Sequence, residues 1–501
     1  MKAWERLVVL MVGGFLTFDP IAAAPLNLDQ VLERTRRAAL EPQISQREAA
    51  KARSKANGIL GIFDPQAFGE YQIGLDQTEG QNVLVGEKRS ITQARGGVRQ
   101  NLKTGTSIEL SLTKGRQSAR YPESGESGPN GGITAMLLEQ LRPKRNPSFS
   151  TSLDLLLRQD LWRNFMGREV DLEHLRALAL VSVLDLEKEA RLQVVQWASA
   201  QLFWEAIAIE ERLTLAGEIL ATSAKFVKAM EQSNRVGRIN AVELAQARAL
   251  LIAREGDLLN LELARDRVFG LLAARALGNP LEIVEIQGEL AAPSLKALAL
   301  PQTLDAALKL AETSRRELRQ LEQQREPLGL AKDLVLEKDK PRLFVFGSVG
   351  FLKHGADEAE SRESLLSQPR WAVGLGIDMT LGDTVTRAES AALLHEEAHL
   401  DLQKSQLVLQ IQRDLKEVFV TIEGIEKRRQ QFEDHERILA DQVAAEKVRM
   451  RQARSDLGAV LRYELERMSV LMSQIEIEKS YRLAQARLRY LIHGYPMEGG
   501  A

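Results

Sequence analysis

The sequence of 501 residues contains no cysteine. Thiol catalysis, Cys-ligated zinc, disulfide bonds and a lipid-modified cysteine are therefore excluded, and the sequence suits a chain that passes through an oxidising compartment without disulfides. The formal charge of −2 shows no excess of either sign. This balance gives no reason to expect nucleic acid or a strongly charged surface as the partner.

Proline is absent between positions 147 and 280 and between positions 369 and 496. Both stretches are rich in Ala, Leu, Glu, Arg and Gln, which favours very long helices. Apolar or small residues recur there at three- and four-residue steps, which predicts one helix over residues 169–233 and another over residues 384–452. At 1.5 Å per residue each helix is about 100 Å long, so the sequence predicts a tube or a rod.

Each long helix is followed by a short break and a returning helix. Gly237 fits the left-handed end of the first long helix, and Asn240 and Asp456 are predicted N-caps of the returning helices. The returning helices run to about residues 277 and 492, where a glycine and a proline follow. The first returning helix is shorter than its long partner. An earlier helical segment, over residues 28–60, is predicted to stack end to end with it and make up the difference in length. The chain is therefore an internal duplication of one long hairpin.

The N-terminus has the pattern of a secretory signal. Lys2 and Arg6 precede an apolar stretch over residues 7–18, and small residues lead to a cleavage site near Ala24. After this segment no apolar run reaches the roughly 18 residues of a membrane-spanning helix. A membrane-inserted form of this chain must therefore use β-strands.

Short segments with period-two alternation precede each long helix, and Lys103-Thr104-Gly105 is a predicted tight turn between two of them. The stretch 116–147 is predicted to be a long loop. Six strands cannot close a barrel alone, because single-chain barrels begin at about eight strands. The sequence therefore predicts an oligomeric barrel, and a soluble β domain is the alternative. The predicted strands are 67–78, 96–102, 106–113, 149–157, 342–352 and 371–380.

Several short motifs recur in the same order in both halves, and their order, spacing and duplication are more specific than any one of them. On these motifs the chain resembles the TolC-like family of outer-membrane efflux and secretion channels, over nearly the whole mature chain. In the first half they are Leu28-Asp29-Gln30-Val31-Leu32 with Pro42, the passage 155–161 and Val236-Gly237-Arg238. In the second half they are Leu304-Asp305-Ala306-Ala307-Leu308, Val373-Gly374-Leu375-Gly376-Ile377 and Ala453-Arg454-Ser455-Asp456-Leu457.

The resemblance implies a mainly α fold with a β portion. Duplicated helix hairpins form an oligomeric helical barrel, and a homotrimer shares a twelve-stranded transmembrane barrel to which each chain gives four strands. The channel sits in the outer-membrane lipid of a Gram-negative cell and extends far into the periplasm. It serves tripartite efflux or type I secretion through a periplasmic adaptor (membrane fusion protein) and an inner-membrane transporter, without cofactor, nucleic acid or catalysis. The expected segments are 1–24 (signal peptide), 25–280 (first repeat), 281–302 (linker), 303–495 (second repeat) and 496–501 (tail).

The resemblance also suggests where partners bind. The hairpin tips are the predicted adaptor-docking residues, namely Val236, Gly237, Arg238, Ala453, Arg454 and Ser455. Family members often narrow the periplasmic end of the channel with carboxylates, which lie six and nine positions after the tip glycine of the second half. Here Ala453 replaces that glycine, and Ala459 and Arg462 occupy those two positions. A salt-bridge gate of Glu243, Arg454, Asp456 and Arg462 is therefore one hypothesis, and solvated charges at an exposed tip are the other.

Two alternatives come from other functional classes. A soluble periplasmic coiled-coil scaffold or adaptor would have long helices without membrane strands. A zinc metallopeptidase is suggested by His395-Glu396-x-x-His399, which places both imidazoles on one helix face. The motif lies inside the second long helix, with charged Glu397 and Asp401 at positions that are usually apolar or uncharged, so a solvated helix surface is favoured.

Overall fold

The computed structural model describes residues 25–77, 88–120, 140, 146–237, 239–291, 293–452 and 454–492. The predicted signal peptide, and Arg238 and Ala453 of the tips, lie outside these residues. The chain divides into two compact units. We call the unit made of Met1–Arg47, Asp185–Gln320 and Gln403–Ala501 the helical unit, and the unit made of Glu48–Leu184 and Leu321–Leu402 the sheet unit.

The sheet unit contains six antiparallel strands, each paired with the next along the chain. All six predicted strands are present, and most are longer than predicted. Residues 116–120 belong to β3 and not to a loop, because β3 pairs with β4 as far as Gln117 and Ser148. The described sheet has six strands, two more than the four per chain that the family resemblance implies for the shared barrel. The strands are β1 Gln66–Asp76, β2 Lys88–Asn101, β3 Thr106–Arg120, β4 Ser148–Asp160, β5 Arg342–Gly355 and β6 Pro369–Asp378.

Ten helices are described, and their lengths repeat between the two halves. The long helices α3 and α9 have 68 residues each, and the returning helices α4 and α10 have 36 each. This duplication confirms the predicted hairpins. The helices are α1 Leu28–Ala38, α2 Leu40–Ile59, α3 Arg168–Arg235, α4 Ala241–Ala276, α5 Leu304–Ser314, α6 Arg316–Gln323, α7 Arg325–Asp339, α8 Glu358–Arg362, α9 Thr384–Arg451 and α10 Leu457–Ile492. Short 3₁₀ turns occupy Leu60–Phe63, Phe165–Gly167 and Leu365–Ser367.

The hairpin turns follow the predicted capping rules. Gly237 has a left-handed φ of 69°, which a glycine adopts without steric cost. The Asn240 side chain accepts the Glu243 N–H at 2.8 Å, and the Asp456 side chain accepts the Ala459 N–H at 2.7 Å. Both side chains satisfy backbone donors that the first turn of a helix leaves free.

The core of the helical unit is a series of apolar clusters along the hairpins. The largest joins α5, α9 and α10 around Leu415, Tyr481 and Leu488. A second joins α1, α3 and α4 around Phe203 and Leu272. In each cluster the returning helix packs against its long partner, which explains how long helices are stabilised mainly by burial of one face. Within the described residues, no helix is long and apolar enough to cross a membrane.

Candidate functional site

The register of the sheet assigns every strand residue to one of two faces. Residues paired across neighbouring strands share a face, and successive residues along a strand alternate between faces. The pairs from Trp371 through Val349, Leu155 and Leu110 to Val98 therefore follow one face across five strands. We call this the apolar face and the opposite one the polar face.

The apolar face carries a continuous band of large exposed hydrophobic side chains. Lys114, Arg116 and Lys353 lie on the same face beyond the band, toward the loop ends of β3 and β5. Exposed apolar surface of this extent indicates contact with lipid or with another protein. The exposed members of the band are Tyr71, Ile73, Leu75, Val98, Leu110, Leu112, Leu155, Leu157, Val349, Trp371, Val373, Leu375 and Ile377.

The polar face carries arginines and carboxylates in equal number among the described strand residues. Three ion pairs cross between strands: Arg95 Nη2 lies 2.5 Å from Glu109 Oε1, Arg370 Nη2 lies 2.7 Å from Asp154 Oδ1, and Arg342 Nη2 lies 3.2 Å from Asp160 Oδ2. The first two pairs line an open cleft of about 530 Å³. This face is suited to water. The charged residues are Arg89, Arg95, Arg99, Arg158, Arg342 and Arg370, with Glu70, Asp76, Glu109, Asp154, Asp160 and Asp378.

Aromatic rings cover two glycines at the helix-side end of the polar face. Phe344 pairs with Gly376 and Phe346 pairs with Gly374 across β5 and β6. A Cβ at either glycine would overlap the opposite ring, so each ring lies directly over a glycine. This packing of an aromatic ring on a cross-strand glycine shields backbone and pins the register of the pair.

Glu337 of α7 fixes the passage from β4 into the long helix α3. Asn164 and Met166 have left-handed φ angles of 58° and 55° in this passage. The Glu337 side chain is only 3% exposed; it accepts the Asn164 N–H at 3.0 Å and pairs with Lys340 at 2.6 Å and Arg168 at 3.6 Å. A buried carboxylate is tolerated only with such partners. Glu337 therefore positions the first turn of α3 against the sheet.

The two outer strands leave the edges of the sheet open. In the described part of the chain, β1 pairs only with β2 and β6 pairs only with β5. Their outward N–H and C=O groups are therefore available for pairing with another strand.

Of the predicted docking residues that are described, Val236, Gly237 and Arg454 are exposed, whereas Ser455 is half-buried and donates a hydrogen bond to Glu446. Val236 is 67% exposed, and Arg454 is exposed as well. Ion pairs brace each hairpin just behind its tip: Arg248 of α4 lies 2.7 Å from Glu231 of α3, and Lys447 of α9 lies 2.6 Å from Glu464 of α10. The exposed tips are thus presented on stiffened hairpins, and their role in docking stays a prediction.

The proposed gate residues are not brought together within the described part of a single chain. No ion pair joins any two of Glu243, Arg454, Asp456 and Arg462 there, and all four side chains are exposed. Asp456 is engaged instead as the N-cap of α10. A gate formed by several copies of the chain remains a prediction.

The His395-Glu396-x-x-His399 motif lies on an exposed stretch of α9 in the sheet unit. Glu397 binds Lys332 at 2.6 Å, and the hydrogen bond from Lys332 lowers the pKa of Glu397. Asp401 pairs with Arg325. Among the described residues, no three His, Cys, Asp or Glu side chains are grouped as ligands for a metal ion. The neighbouring carboxylates of this motif thus serve contacts between α9 and α7.

Sequence reasoning missed the residues that hold the segment between the two halves. The Arg482 guanidinium donates to the carbonyls of Glu289, Leu290 and Ala291 at 2.7, 3.0 and 2.6 Å. It also lies 4.5 Å from the centre of a Trp204 ring. Burial lowers the pKa of Arg482. No local pattern announces this contact, because the partners are about 190 residues apart in the sequence.

Comparisons with known proteins add one finding. No family model and no curated protein matches the chain. Solved structures match over 93% of the chain: the CmeC outer membrane channel of Campylobacter jejuni (11% identity, 85% of that chain, TM-score 0.65) and the outer membrane protein VceC of Vibrio cholerae (12%, 96%, 0.63). The MtrE outer membrane channel of Neisseria gonorrhoeae matches similarly (13%, 89%, 0.63). The chain therefore has the fold of the TolC-like outer-membrane channels, as its sequence motifs predict.

Proposed function

We propose that this protein is the outer-membrane channel of a tripartite efflux or type I secretion system. It is a passive homotrimeric duct that receives substrates from a periplasmic adaptor and an inner-membrane transporter and releases them outside the cell. The observation that carries the proposal is the open sheet with one apolar face and one polar face. Its similarity to solved outer membrane channels supports the same conclusion.

The two faces suit a wall between lipid and water. A membrane strand alternates lipid-facing apolar residues with lumen-facing polar residues, which is the pattern on either side of this sheet. The basic residues Lys114, Arg116 and Lys353 flank the band where a lipid head-group region would begin.

The open edges require further copies of the chain. Lipid offers no partner for backbone N–H and C=O groups, so β6 of one copy must pair with β1 of the next until the ring closes. With six strands per chain, three copies give 18 strands in place of the twelve implied by the resemblance. Barrels of 16 to 18 strands leave a water-filled channel, whereas about eight strands leave an interior filled by side chains.

The polar face gives the duct little preference for charge. Its arginines and carboxylates are equal in number, and three of the arginines are already paired across strands. A wide channel lined in this way passes solutes of either sign. The choice of substrate, and the energy for transport, therefore belong to the inner-membrane transporter.

We place adaptor docking at the hairpin tips and, secondarily, a gate at Glu243, Arg454, Asp456 and Arg462. Asp456 is a poor position for testing the gate, because its replacement also removes the N-cap of α10. Arg462→Glu is the informative variant, since Arg462 is exposed and has no cap role. A changed single-channel conductance supports the gate, and unchanged conductance and export contradict it.

The experiment that tests the main proposal combines location, mass and conductance on one preparation. Cell fractions are assayed for the protein, its oligomeric mass is measured in detergent, and the same sample is inserted into planar bilayers. Outer-membrane trimers with a discrete conductance are the expected result. A soluble, non-conducting protein would instead support the periplasmic scaffold, and a conducting dimer would overturn the trimer.

A further inference from the structure

The apolar face of the sheet carries a second pattern, which is one of charge. Every basic strand residue on this face lies between the apolar band and the loop end of its strand, and no described strand residue on this face is acidic. On the polar face, in contrast, arginines and carboxylates are equal in number. The sheet therefore has an uncompensated positive charge on one face and at one end.

Four of these basic residues lie on the hairpin of β2 and β3. We call them the basic ladder: Lys88, Lys114, Arg116 and Arg120. All four side chains are exposed, and Lys88 and Arg120 are paired directly across the two strands. Like charges directly opposite each other destabilise a strand pair, so the hairpin gains stability when an anion lies between them.

The carboxylates of the sheet do not supply that anion. The cross-strand ion pairs lie on the polar face, and within the described residues none of them involves the basic ladder. Arg116 lies 5.7 Å from the centre of the Phe149 ring, which holds its guanidinium close to the apolar face. Lys353 is not counted in the ladder, because α8 brings carboxylates to that part of the face, where Ser361 Oγ lies 3.0 Å from Thr151 Oγ1.

The basic ladder extends further from the apolar band than the head group of an ordinary phospholipid. Leu112 is the last exposed apolar residue of the band on β3, and Lys114 and Arg120 follow it on the same face. At about 3.4 Å per residue and a strand tilt of about 45°, they lie about 5 and 19 Å beyond Leu112 along the bilayer normal. The head-group layer of a bilayer is only about 5–8 Å thick on each side. The outer pair of the ladder therefore lies level with a head group that extends well beyond this layer.

We propose that the basic ladder binds a phosphorylated glycolipid of the outer leaflet. The acyl chains of the glycolipid lie along the apolar band, and a phosphate near these chains binds Lys114 and Arg116. Anionic groups further out on the saccharide bind Lys88 and Arg120. This inference rests on the proposed function, because that function places the loop end of the sheet at the cell exterior.

The test measures lipid binding to the full-length oligomer by native mass spectrometry after release from phosphatidylcholine nanodiscs. The nanodiscs carry one of three lipids: a lipopolysaccharide with a phosphorylated core, the same lipopolysaccharide after enzymatic removal of its phosphates, or phosphatidylglycerol. We expect the phosphorylated lipopolysaccharide to bind about tenfold more tightly than either other lipid, because it alone presents phosphates at both levels of the ladder. Conductance in planar bilayers is recorded on the same preparation.

Variants locate the binding on the hairpin. Lys88→Gln with Arg120→Gln is expected to weaken binding of the phosphorylated lipopolysaccharide about tenfold and to leave phosphatidylglycerol binding unchanged, because it removes only the outer pair. Lys103→Gln with Arg99→Gln is the matched control. It removes the same charge from the helix-side end of the same hairpin, away from the ladder, and should bind all three lipids like the native protein.

Three results would overturn this inference while the protein still forms conducting oligomers: equal binding of the two lipopolysaccharides, equal binding of phosphatidylglycerol, or unchanged affinity in the outer-pair variant. Failure of the native protein to insert and conduct would instead overturn the proposed function, and this inference with it. The comparison of lipids uses the native chain, so it remains decisive if a variant does not fold.

Discussion

Three consecutive leucines of β4 provide a sharp test of the proposal that the apolar face of the sheet meets lipid. Leu155, Leu156 and Leu157 are 36, 40 and 42% exposed, so exposure alone does not distinguish them. Their pairing does. Leu155 lies between Leu110 and Val349 on the apolar face, whereas Leu156 lies opposite Glu109 on the polar face.

Arginine substitution at each position should therefore have very different effects. An arginine facing lipid near the bilayer midplane costs about 2–4 kcal/mol, which is roughly a 30- to 1,000-fold change in the folding equilibrium per chain. Leu155→Arg and Leu157→Arg are expected to lose this much. Leu156→Arg faces water beside the Glu109 carboxylate, so its effect should stay within about 0.5 kcal/mol.

The assay is refolding from urea into phosphatidylcholine vesicles, with the folded fraction read from protease resistance and heat-dependent gel mobility. The amount of each variant in the outer membrane of cells is the second readout. We expect a lowered urea midpoint for substitutions at 155 and 157 and a native midpoint at 156. Equal behaviour of all three variants, or a loss at 156 alone, would refute the assignment of the faces. Near-neutral effects at all three would favour a soluble β domain.

Three further predictions concern contacts outside the strands. Arg482→Met should lower the melting temperature and expose residues 281–302 to limited proteolysis, because it removes three charge-assisted bonds worth about 2–4 kcal/mol together after allowance for partial exposure. Glu337→Ala should cost about 1–3 kcal/mol in chemical denaturation, because the Asn164 N–H loses its acceptor, whereas Glu337→Gln keeps that acceptor and should cost less. Burial raises the pKa of Glu211 above its ordinary value of 4.5, so folding favours the protonated carboxyl. The contribution of Glu211 to the free energy of unfolding is therefore lost as the pH rises through its raised pKa. Glu211→Gln should therefore gain thermal stability relative to the native protein between pH 4 and 7, and a constant difference across that range would contradict this.

The helical part of the fold could be read from the sequence because its signals are local. The absence of proline, the apolar period and the capping residues Asn240 and Asp456 act within a few residues of the backbone that they shape. The predicted bounds of the long helices are therefore within two residues of those observed.

The strands and the contacts between distant segments were harder to predict. The end of β3 reads as part of a polar loop, since Arg116–Arg120 become a strand only when β2 and β4 pair with them. Glu337 and Arg482 look like ordinary charged residues of exposed helices. Their roles arise from partners more than 170 residues away, which no local pattern specifies.

The apolar band has a further consequence, because it crosses the sheet obliquely. It is centred near Ile73 on β1 and near Gly374 on β6. From Gly374, the residue pairs lead strand by strand to Asn101 of β2, and the position opposite Asn101 lies two residues before β1 begins. The centre of the band on β1 is therefore displaced along the strand from the position level with Gly374. The band thus shifts by about two residues, or roughly 6 Å, for each strand spacing of about 4.8 Å. Strands that keep such a band level with a bilayer are inclined by about 50° to its normal. In the proposed oligomer the same inclination would set the junction between copies: Ile73 of one chain would lie within about two residues of the position opposite Gly374 of its neighbour, so the lipid bilayer would select the register in which the chains join.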